Sequence, residues 1–176
     1  MKTICAVDTR EKTAKKTHIF EAFDSAGIEY IRTKLYVGDY ALLNDQSLCI
    51  DVKQGLSEVY SNLVQDHERF RRELIRARDA GIKLIVLVEE PKVRTLEDVQ
   101  DWVNPRSIIY QKKADQGIVT QKAPPISSKR LYNIMRTMSE NYGCNWVFCS
   151  KQSTGEMILK LLGVKADEVG NGIQEK

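Results

Sequence analysis

An unbroken apolar run at residues 84–88, Leu-Ile-Val-Leu-Val, restricts the fold of this chain more than any other feature. So short a run is typical of a β-strand whose two faces are both covered by other elements. Residues 4–7 and 146–149 form two further short apolar runs. Segments of helical periodicity separate these runs, and helices that cover both faces of a sheet define an α/β domain.

A predicted β-hairpin adds antiparallel strands to this sheet. Residues 40–43 and 48–52 have the composition of strands, and Asn44-Asp45 between them is typical of a hairpin turn. Residues 30–35 form another strand-like piece. The sequence therefore predicts a mixed central sheet flanked by helices.

Helical patterns connect the predicted strands. Thr17 is expected to cap a helix over residues 18–26, and one long helix that carries Leu63 and Phe70 should end at Gly81. The other expected helices run from Thr95 toward Val103, from Ser127 or Ser128 to Tyr142, and over residues 154–162.

Residues 104–125 show no clear period and are expected to form a long loop, with one short strand at most. A loop of this length inside a compact domain is usually functional or mobile. Tyr110, Lys112 and Lys113, with Lys122 beyond them, combine an aromatic ring with cations. That mixture suits contact with DNA through stacking and phosphate pairing, and it suits a solvated loop equally well.

Length and composition favour one ordinary globular domain. The chain has 176 residues, of which 42% are hydrophobic and 29% charged, and we expect a domain over residues 1–163 with a tail over residues 164–176. Neither a signal peptide nor the roughly 20 apolar residues of a membrane helix can be found. We therefore expect no membrane association, and a cytoplasmic location in a bacterial or phage-infected cell, or a nuclear one in a eukaryote.

The cysteines and histidines do not form a zinc-binding pattern. Four cysteines occur without a Cys-x-x-Cys pair, and the chain has only two histidines. The cysteines are therefore expected to be reduced core residues. Any metal ion here should be a hard cation bound by carboxylates.

The distribution of charge says more than the net charge of +3. Residues 106–130 carry six lysines and arginines against one aspartate, whereas residues 89–101 carry five acids against two bases. Such asymmetry suits a protein with one basic face and one face that stays in water.

The chemistry concentrates at Gly38-Asp39-Tyr40 and, twelve residues further on, Asp51-Val52-Lys53. Across a hairpin, an acid at the start of one strand and an acid at the end of the next lie side by side. Asp51 and Lys53 are two residues apart in a strand and share a face. Two carboxylates could thus hold one divalent ion beside an ammonium. Phosphodiester hydrolysis requires a nucleophilic water and a group that absorbs charge on the phosphate, and a divalent ion can supply both. The ordinary alternative for an acid-x-Lys pattern is a solvated strand face.

Four short motifs in order resemble one nuclease family. They are Val7-Asp8-Thr9-Arg10-Glu11, Gly27-Ile28, Leu35-x-Val37-Gly38-Asp39-Tyr40 and Ile50-Asp51-Val52-Lys53. The set resembles the nuclease domain of the XPF-type structure-specific endonucleases, a branch of the PD-(D/E)xK restriction-endonuclease-like fold. The resemblance implies a metal-dependent endonuclease that cuts branched or flapped DNA during repair or recombination.

The resemblance also implies roles for individual residues. Asp39 and Asp51 would hold Mg²⁺ or Mn²⁺, with Asp8 as a further carboxylate, and Lys53 would be the catalytic lysine. Arg10 would contact the phosphate backbone, and Glu11 would anchor Arg10 or complete the acidic cluster. The alternative for Asp8 and Arg10 is a strand-end ion pair.

Two departures from the family pattern stand out. The family has Glu-Arg-Lys where this chain has Asp51-Val52-Lys53, so the acid is shorter and the arginine is missing. The family's downstream acid is replaced by Ser57, with Glu58 one position later.

Further contacts and alternatives complete the expectations. Arg69, close in sequence to the hairpin, is expected to contact DNA, whereas the other arginines of its helix are expected to form surface ion pairs. The resemblance implies DNA as the partner, with a homodimer or a partner protein that would supply substrate specificity. The alternatives are an inactive DNA-binding module of the same fold, an RNase and a Holliday-junction resolvase.

Overall fold

A six-stranded mixed sheet forms the centre of the protein, whose computed structural model describes residues 3–119 and 123–164. The sheet order is β2-β1-β3-β4-β5-β6; β3 pairs antiparallel with β1 and β4, and the other neighbours are parallel. The strands are β1 (Ile4–Asp8), β2 (Glu29–Thr33), β3 (Tyr40–Leu42), β4 (Leu48–Lys53), β5 (Lys83–Glu89) and β6 (Asn145–Cys149). This arrangement confirms the predicted fold class, including the hairpin.

Helices cover both faces of the sheet. They are α1 (Thr17–Ser25), α2 (Leu56–Val64), α3 (His67–Asp79), α4 (Pro105–Asp115), α5 (Ser128–Tyr142) and α6 (Thr154–Leu161). Three short 3-10 helices lie at Thr13–Lys15, Glu97–Asp101 and Lys151–Ser153. No helix of the described ranges is long and apolar enough to cross a membrane.

The apolar run in β5 is buried on both sides, as predicted. Leu84, Val86 and Val88 belong to the core under α2, α3 and α5, whereas Ile85 and Leu87 belong to the core under α1 and α6. The alternation follows from the period of two in a strand. The four cysteines are buried and unpaired, also as predicted.

A buried polar network fixes α1 and α6 at the end of β5. The Nε2 atom of His18 lies 2.6 Å from Oε1 of Glu89, and the Thr154 hydroxyl donates to the same oxygen at 2.9 Å. Gly155 lets the two helices approach, because a Cβ atom there would lie 2.5 Å from Cβ of Ala22. The start of α1 is therefore held at the same end of the sheet as the ends of β4 and β5.

The helix predictions need correction at several points. The single long helix is two helices, α2 and α3, because residues 65 and 66 interrupt it. The helix expected after Thr95 is only the 3-10 turn Glu97–Asp101, and α1 begins at Thr17 itself without a side-chain cap. The helix expected from Ser127 is confirmed, since its hydroxyl accepts a hydrogen bond from the Arg130 amide.

The predicted loop over residues 104–125 was wrong, because α4 occupies half of it. The Asn104 side chain caps α4 by accepting a hydrogen bond from the Arg106 amide at 3.0 Å, and Pro105 occupies the first turn. None of the residues of α4 is buried. An exposed helix needs no apolar stripe, which explains why the sequence shows no period there. Lys122 and the tail beyond residue 164 lie outside the described residues.

Candidate active site

Three strand ends meet where Asp39 precedes β3. The Asp8 amide at the end of β1 donates to the Asp39 carbonyl at 2.8 Å, and the Asp39 amide donates to the Ile50 carbonyl of β4 at 2.8 Å. Gly38 makes this turn possible, since its φ is +71° and a Cβ atom there would lie 3.1 Å from the Ile50 carbonyl oxygen. The turn therefore fixes Asp39 between its two neighbouring strands.

The side chains of Asp39, Asp51 and Lys53 lie together, as the hairpin argument predicts. Asp39 Oδ2 accepts a hydrogen bond from the Val52 amide at 2.9 Å, which brings its carboxylate to the end of β4. The Lys53 ammonium donates to Asp51 Oδ1 at 3.0 Å and lies 2.8 Å from Oδ2. Asp51 is only 4% exposed and Lys53 8%, so these are not members of a solvated strand face.

The charges in this cluster do not balance. Burial raises the pKa of Asp39 well above its usual range, and the negative charges of Asp51 and Glu11 raise it further. Burial lowers the pKa of Lys53, but its contacts with Asp51 outweigh that effect and the net shift is upward. The buried Asp51 and the half-buried Asp39 thus lie near one ammonium, which pairs with Asp51, and such a cluster favours an additional positive charge.

The cluster opens into a polar cleft of about 730 Å³. Strand ends, the segment after β1 and helix α3 line this cleft. A larger cavity of about 770 Å³ is lined by none of Asp39, Asp51 and Lys53. The charged residues that line the cleft are Asp8, Arg10, Glu11, Lys12, Lys15, Lys16, Asp39, Asp51, Lys53, Glu58, Arg69, Glu73 and Arg76.

Asp8 and Arg10 form the strand-end ion pair that was the alternative prediction for them. Asp8 is 1% exposed; its Oδ1 accepts from the Arg10 amide and Nε at 2.8 and 2.7 Å, and its Oδ2 from Arg10 Nη2 and the Leu35 amide at 2.9 and 2.8 Å. Burial raises the pKa of Asp8, but these hydrogen bonds outweigh it and hold the pKa below its usual value. Since both oxygens are engaged, this arrangement gives no support to Asp8 as a metal ligand.

Two other predicted residues reach the cleft from its sides. Glu11 and Arg69 both line it. Glu11 does not anchor Arg10, since its carboxylate accepts from the Lys12 amide at 3.0 Å and Arg10 is held by Asp8. Of the roles predicted for Glu11, the structure is therefore compatible with completion of the acidic cluster.

Glu58 and Glu73 hold backbone at the cleft. Glu58 Oε2 accepts from the Gln54 amide at 2.6 Å, which makes it a structural residue of the turn between β4 and α2. Glu73 was not predicted as a site residue. Its Oε1 atom, on α3, accepts a hydrogen bond from the Gly38 amide at 3.0 Å. The two residues are 35 positions apart, so no local pattern reveals the contact.

Tyr110, Lys112 and Lys113 lie on α4 and do not line the cleft. The helix is attached to α2 through Arg106, whose Nη2 donates to the Ser61 hydroxyl at 2.7 Å and whose guanidinium lies 4.8 Å from the Tyr60 ring centre. Their contact with DNA therefore stays a prediction and would take place outside the cleft.

The residues present fit a hard divalent cation. Asp51 Oδ2 is buried and accepts no hydrogen bond of good geometry, although the Lys53 ammonium is close to it. Within the described ranges no group of three or more His, Cys, Asp and Glu side chains is arranged to hold a metal ion. Mg²⁺ characteristically needs only one or two carboxylates, with water and phosphate oxygens as its other ligands.

The fold and the cleft define a restriction-endonuclease-like α/β domain. The family model of the ERCC4 domain matches residues 7–161, so the chain belongs to the ERCC4 domain family. No curated protein matches the sequence.

Solved structures share the fold. XPF from Aeropyrum pernix is similar with a TM-score of 0.59 and 21% identity over 90% of this chain and 63% of that chain. The same protein in complex with DNA matches with a TM-score of 0.59 and 18% identity over 98% of this chain and 69% of that chain. The present chain thus spans about two thirds of the XPF chain.

Proposed function

We propose that this protein is a DNA endonuclease that needs Mg²⁺ or Mn²⁺ and hydrolyses phosphodiester bonds in its cleft. The observation that carries the proposal is the convergence of Asp39, Asp51 and Lys53 at the end of the hairpin. Membership of the ERCC4 domain family supports the same activity. XPF from Aeropyrum pernix has been solved in complex with DNA, which supports DNA as the ligand of this fold.

Asp39 and Asp51 would hold the cation. A divalent ion bound there would supply positive charge to the phosphate and lower the pKa of a water molecule. The two aspartates carry the negative charge that attracts the ion, and the backbone hydrogen bonds of Asp39 keep its carboxylate in place without the ion. The affinity for the ion should therefore depend on both side chains.

Lys53 would act on the reacting phosphate. The reaction joins a water oxygen to phosphorus, breaks one phosphorus–oxygen ester bond and leaves a proton on the departing oxygen. The Lys53 ammonium can orient the attacking water or neutralise charge that develops on the phosphate. Asp51 holds this ammonium in the cleft, and the ring of Phe70 lies 5.7 Å from it.

Arginines at the cleft would position the DNA backbone. Arg10 is held by Asp8, but 59% of its side chain remains exposed, so it can still pair with a phosphate. Arg69, on α3, also lines the cleft. Phosphate contacts of this kind fix the register of the duplex without reading its sequence.

The substrate we propose is branched or flapped DNA in repair or recombination. The family supports this class, and a homodimer or a partner protein would supply the remaining specificity. A cytoplasmic or nuclear location would follow from such a substrate.

The test incubates the purified protein with labelled flap, four-way-junction, single-stranded and duplex DNA, with Mg²⁺ or with EDTA. We expect cutting of a branched substrate in Mg²⁺ and none in EDTA. Binding without cutting in either condition would overturn the proposal in favour of a DNA-binding module. Preferential cutting of the four-way junction would indicate a resolvase instead.

A further inference from the structure

The ammonium of Lys16 is buried in the cleft and has no partner. Lys16 is 3% exposed, and its Nζ atom is shielded from solvent and donates no hydrogen bond within the described ranges. A buried charge without a partner is costly, and an anion that pairs with it would relieve that cost. Within the described ranges, every other lysine or arginine that lines the cleft either has a partner or is exposed to water.

Lys16 is held firmly in this position. Its amide donates to the Thr13 carbonyl at 2.9 Å, and its carbonyl accepts from the Ile19 amide at 2.9 Å at the beginning of α1. Two residues on, His18 is attached to Glu89. The side chain lines the same cleft as Asp39 and Asp51, yet it pairs with neither.

The beginning of α1 adds a second favourable feature for an anion. The helix has nine residues, no side-chain cap and no acidic residue in its first turn. Its first amide groups carry partial positive charge, and the carboxylate that contacts this turn, that of Glu89, is held by His18 and Thr154. The ammonium and the helix end therefore act in the same direction.

We propose that Lys16 is a phosphate-binding residue whose ammonium pairs with a phosphodiester oxygen of the DNA strand in the cleft. The proposal rests on the proposed function, because a phosphodiester is the anion which that reaction brings here. Lys16 then has its partner only when substrate is bound, whereas Arg10 and Lys53 are already paired in the free protein.

The test compares Lys16→Met with Lys15→Met. Both variants lose one positive charge at neighbouring positions of the cleft, but Lys15 is exposed and Lys16 buried. Affinity for labelled flap DNA is measured by fluorescence anisotropy in EDTA at several salt concentrations, and thermal stability is measured without DNA.

We expect Lys16→Met to weaken DNA binding about tenfold and to reduce the slope of log affinity against log salt concentration by about one, as the loss of one phosphate contact would. Lys15→Met should weaken binding about twofold or less. The melting temperature of Lys16→Met should stay the same or rise, because the variant removes a buried unpaired charge. Equal effects of the two variants on binding would overturn the proposal. A lower melting temperature of Lys16→Met with weakened binding would also overturn it, since it would indicate a structural partner for Lys16.

A separate arm distinguishes failure of this inference from failure of the proposed function. If the unchanged protein neither binds nor cuts DNA, the proposed function fails, and inorganic phosphate is then used as the probe. Stabilisation of the unchanged protein by phosphate, absent in Lys16→Met, would retain Lys16 as an anion-binding residue for free phosphate. Equal stabilisation of the unchanged protein and of Lys16→Met by phosphate would show that Lys16 does not bind the anion.

Discussion

Two clusters of acidic and basic side chains line the cleft, and they differ in how completely their carboxylate oxygens are hydrogen-bonded. In the Asp8–Arg10 pair, both carboxylate oxygens accept hydrogen bonds and one guanidinium faces one carboxylate. In the Asp39–Asp51–Lys53 group, two carboxylates accompany one ammonium, which pairs with Asp51 alone, and one oxygen of Asp51 lacks a well-directed hydrogen bond.

The difference indicates that the Asp8–Arg10 pair stabilises the fold, whereas the Asp39–Asp51–Lys53 group serves the proposed reaction. Hydrogen bonds lower the pKa of Asp8, whereas burial and neighbouring acids raise that of Asp39. A complete pair stabilises the folded chain by itself, but an incomplete group costs stability until a further positive charge binds. Substitutions in the two groups should therefore have opposite effects on stability and activity.

The largest effect is expected for Asp51→Asn. Loss of this carboxylate removes a proposed cation ligand and the partner of Lys53, so the initial rate of DNA cutting should fall about a thousandfold or more. The control is Asp24→Asn, which removes an exposed carboxylate of α1 outside the cleft. Residual cutting within tenfold of the unchanged protein would show that Asp51 is not needed.

Asp8→Asn should mainly affect folding. It breaks the pair of the buried Asp8 carboxylate with the exposed Arg10, and we expect the free energy of unfolding at pH 7 to fall by about 1–3 kcal/mol in urea titrations. Because the pKa of Asp8 is lowered in the folded protein from 3.8, its contribution is present above that pH. The contribution is lost as pH falls through the lower, folded-state pKa.

The difference between Asp8→Asn and the unchanged protein should therefore shrink below about pH 3.8. A difference that stays constant from pH 7 to pH 3 would contradict the ion-pair account of Asp8.

Asp39→Asn should act in the opposite direction on stability. The raised pKa means that the folded protein binds this proton more tightly than the unfolded chain does, so stability falls as pH rises from 3.8 toward the folded-state pKa. Asparagine avoids that cost and can still accept from the Val52 amide. In EDTA at pH 7 the free energy of unfolding should rise by up to about 1 kcal/mol. A loss as large as that of Asp8→Asn would contradict the comparison.

The smallest effect is expected from the exposed lysines of α4. Changing Lys112 and Lys113 together to glutamine should weaken DNA binding several-fold at low salt and leave thermal stability unchanged, since neither side chain is buried. Anisotropy titrations at two salt concentrations measure this effect. If the double variant and the unchanged protein bind DNA equally well at both salt concentrations, these lysines do not belong to the DNA-binding surface.

The parts predicted from sequence are those that depend on neighbours along the chain. The hairpin and the positions of Asp39, Asp51 and Lys53 follow from turn chemistry and strand alternation within residues 38–53. The buried strand β5 follows from its apolar run. Local patterns were sufficient because the site is built on adjacent strands.

The parts that were missed depend on distant contacts or on exposed helices. The pairing of Asp8 with the Leu35 amide and that of Glu73 with Gly38 span 27 and 35 residues. Lys16 is buried at the start of α1, which is held by the contact of His18 with Glu89, 71 residues away. Helix α4 has no buried face, so the sequence indicates it only through the capping residue Asn104.

The most direct test of the account is calorimetric titration of the protein with Mn²⁺ in the absence of DNA. We predict binding to the unchanged protein, binding retained in Asp24→Asn, and no detectable binding when Asp39 and Asp51 are both changed to asparagine. Equal Mn²⁺ binding by the double variant and the unchanged protein, or none by either, would contradict the claim that these two aspartates form a cation site.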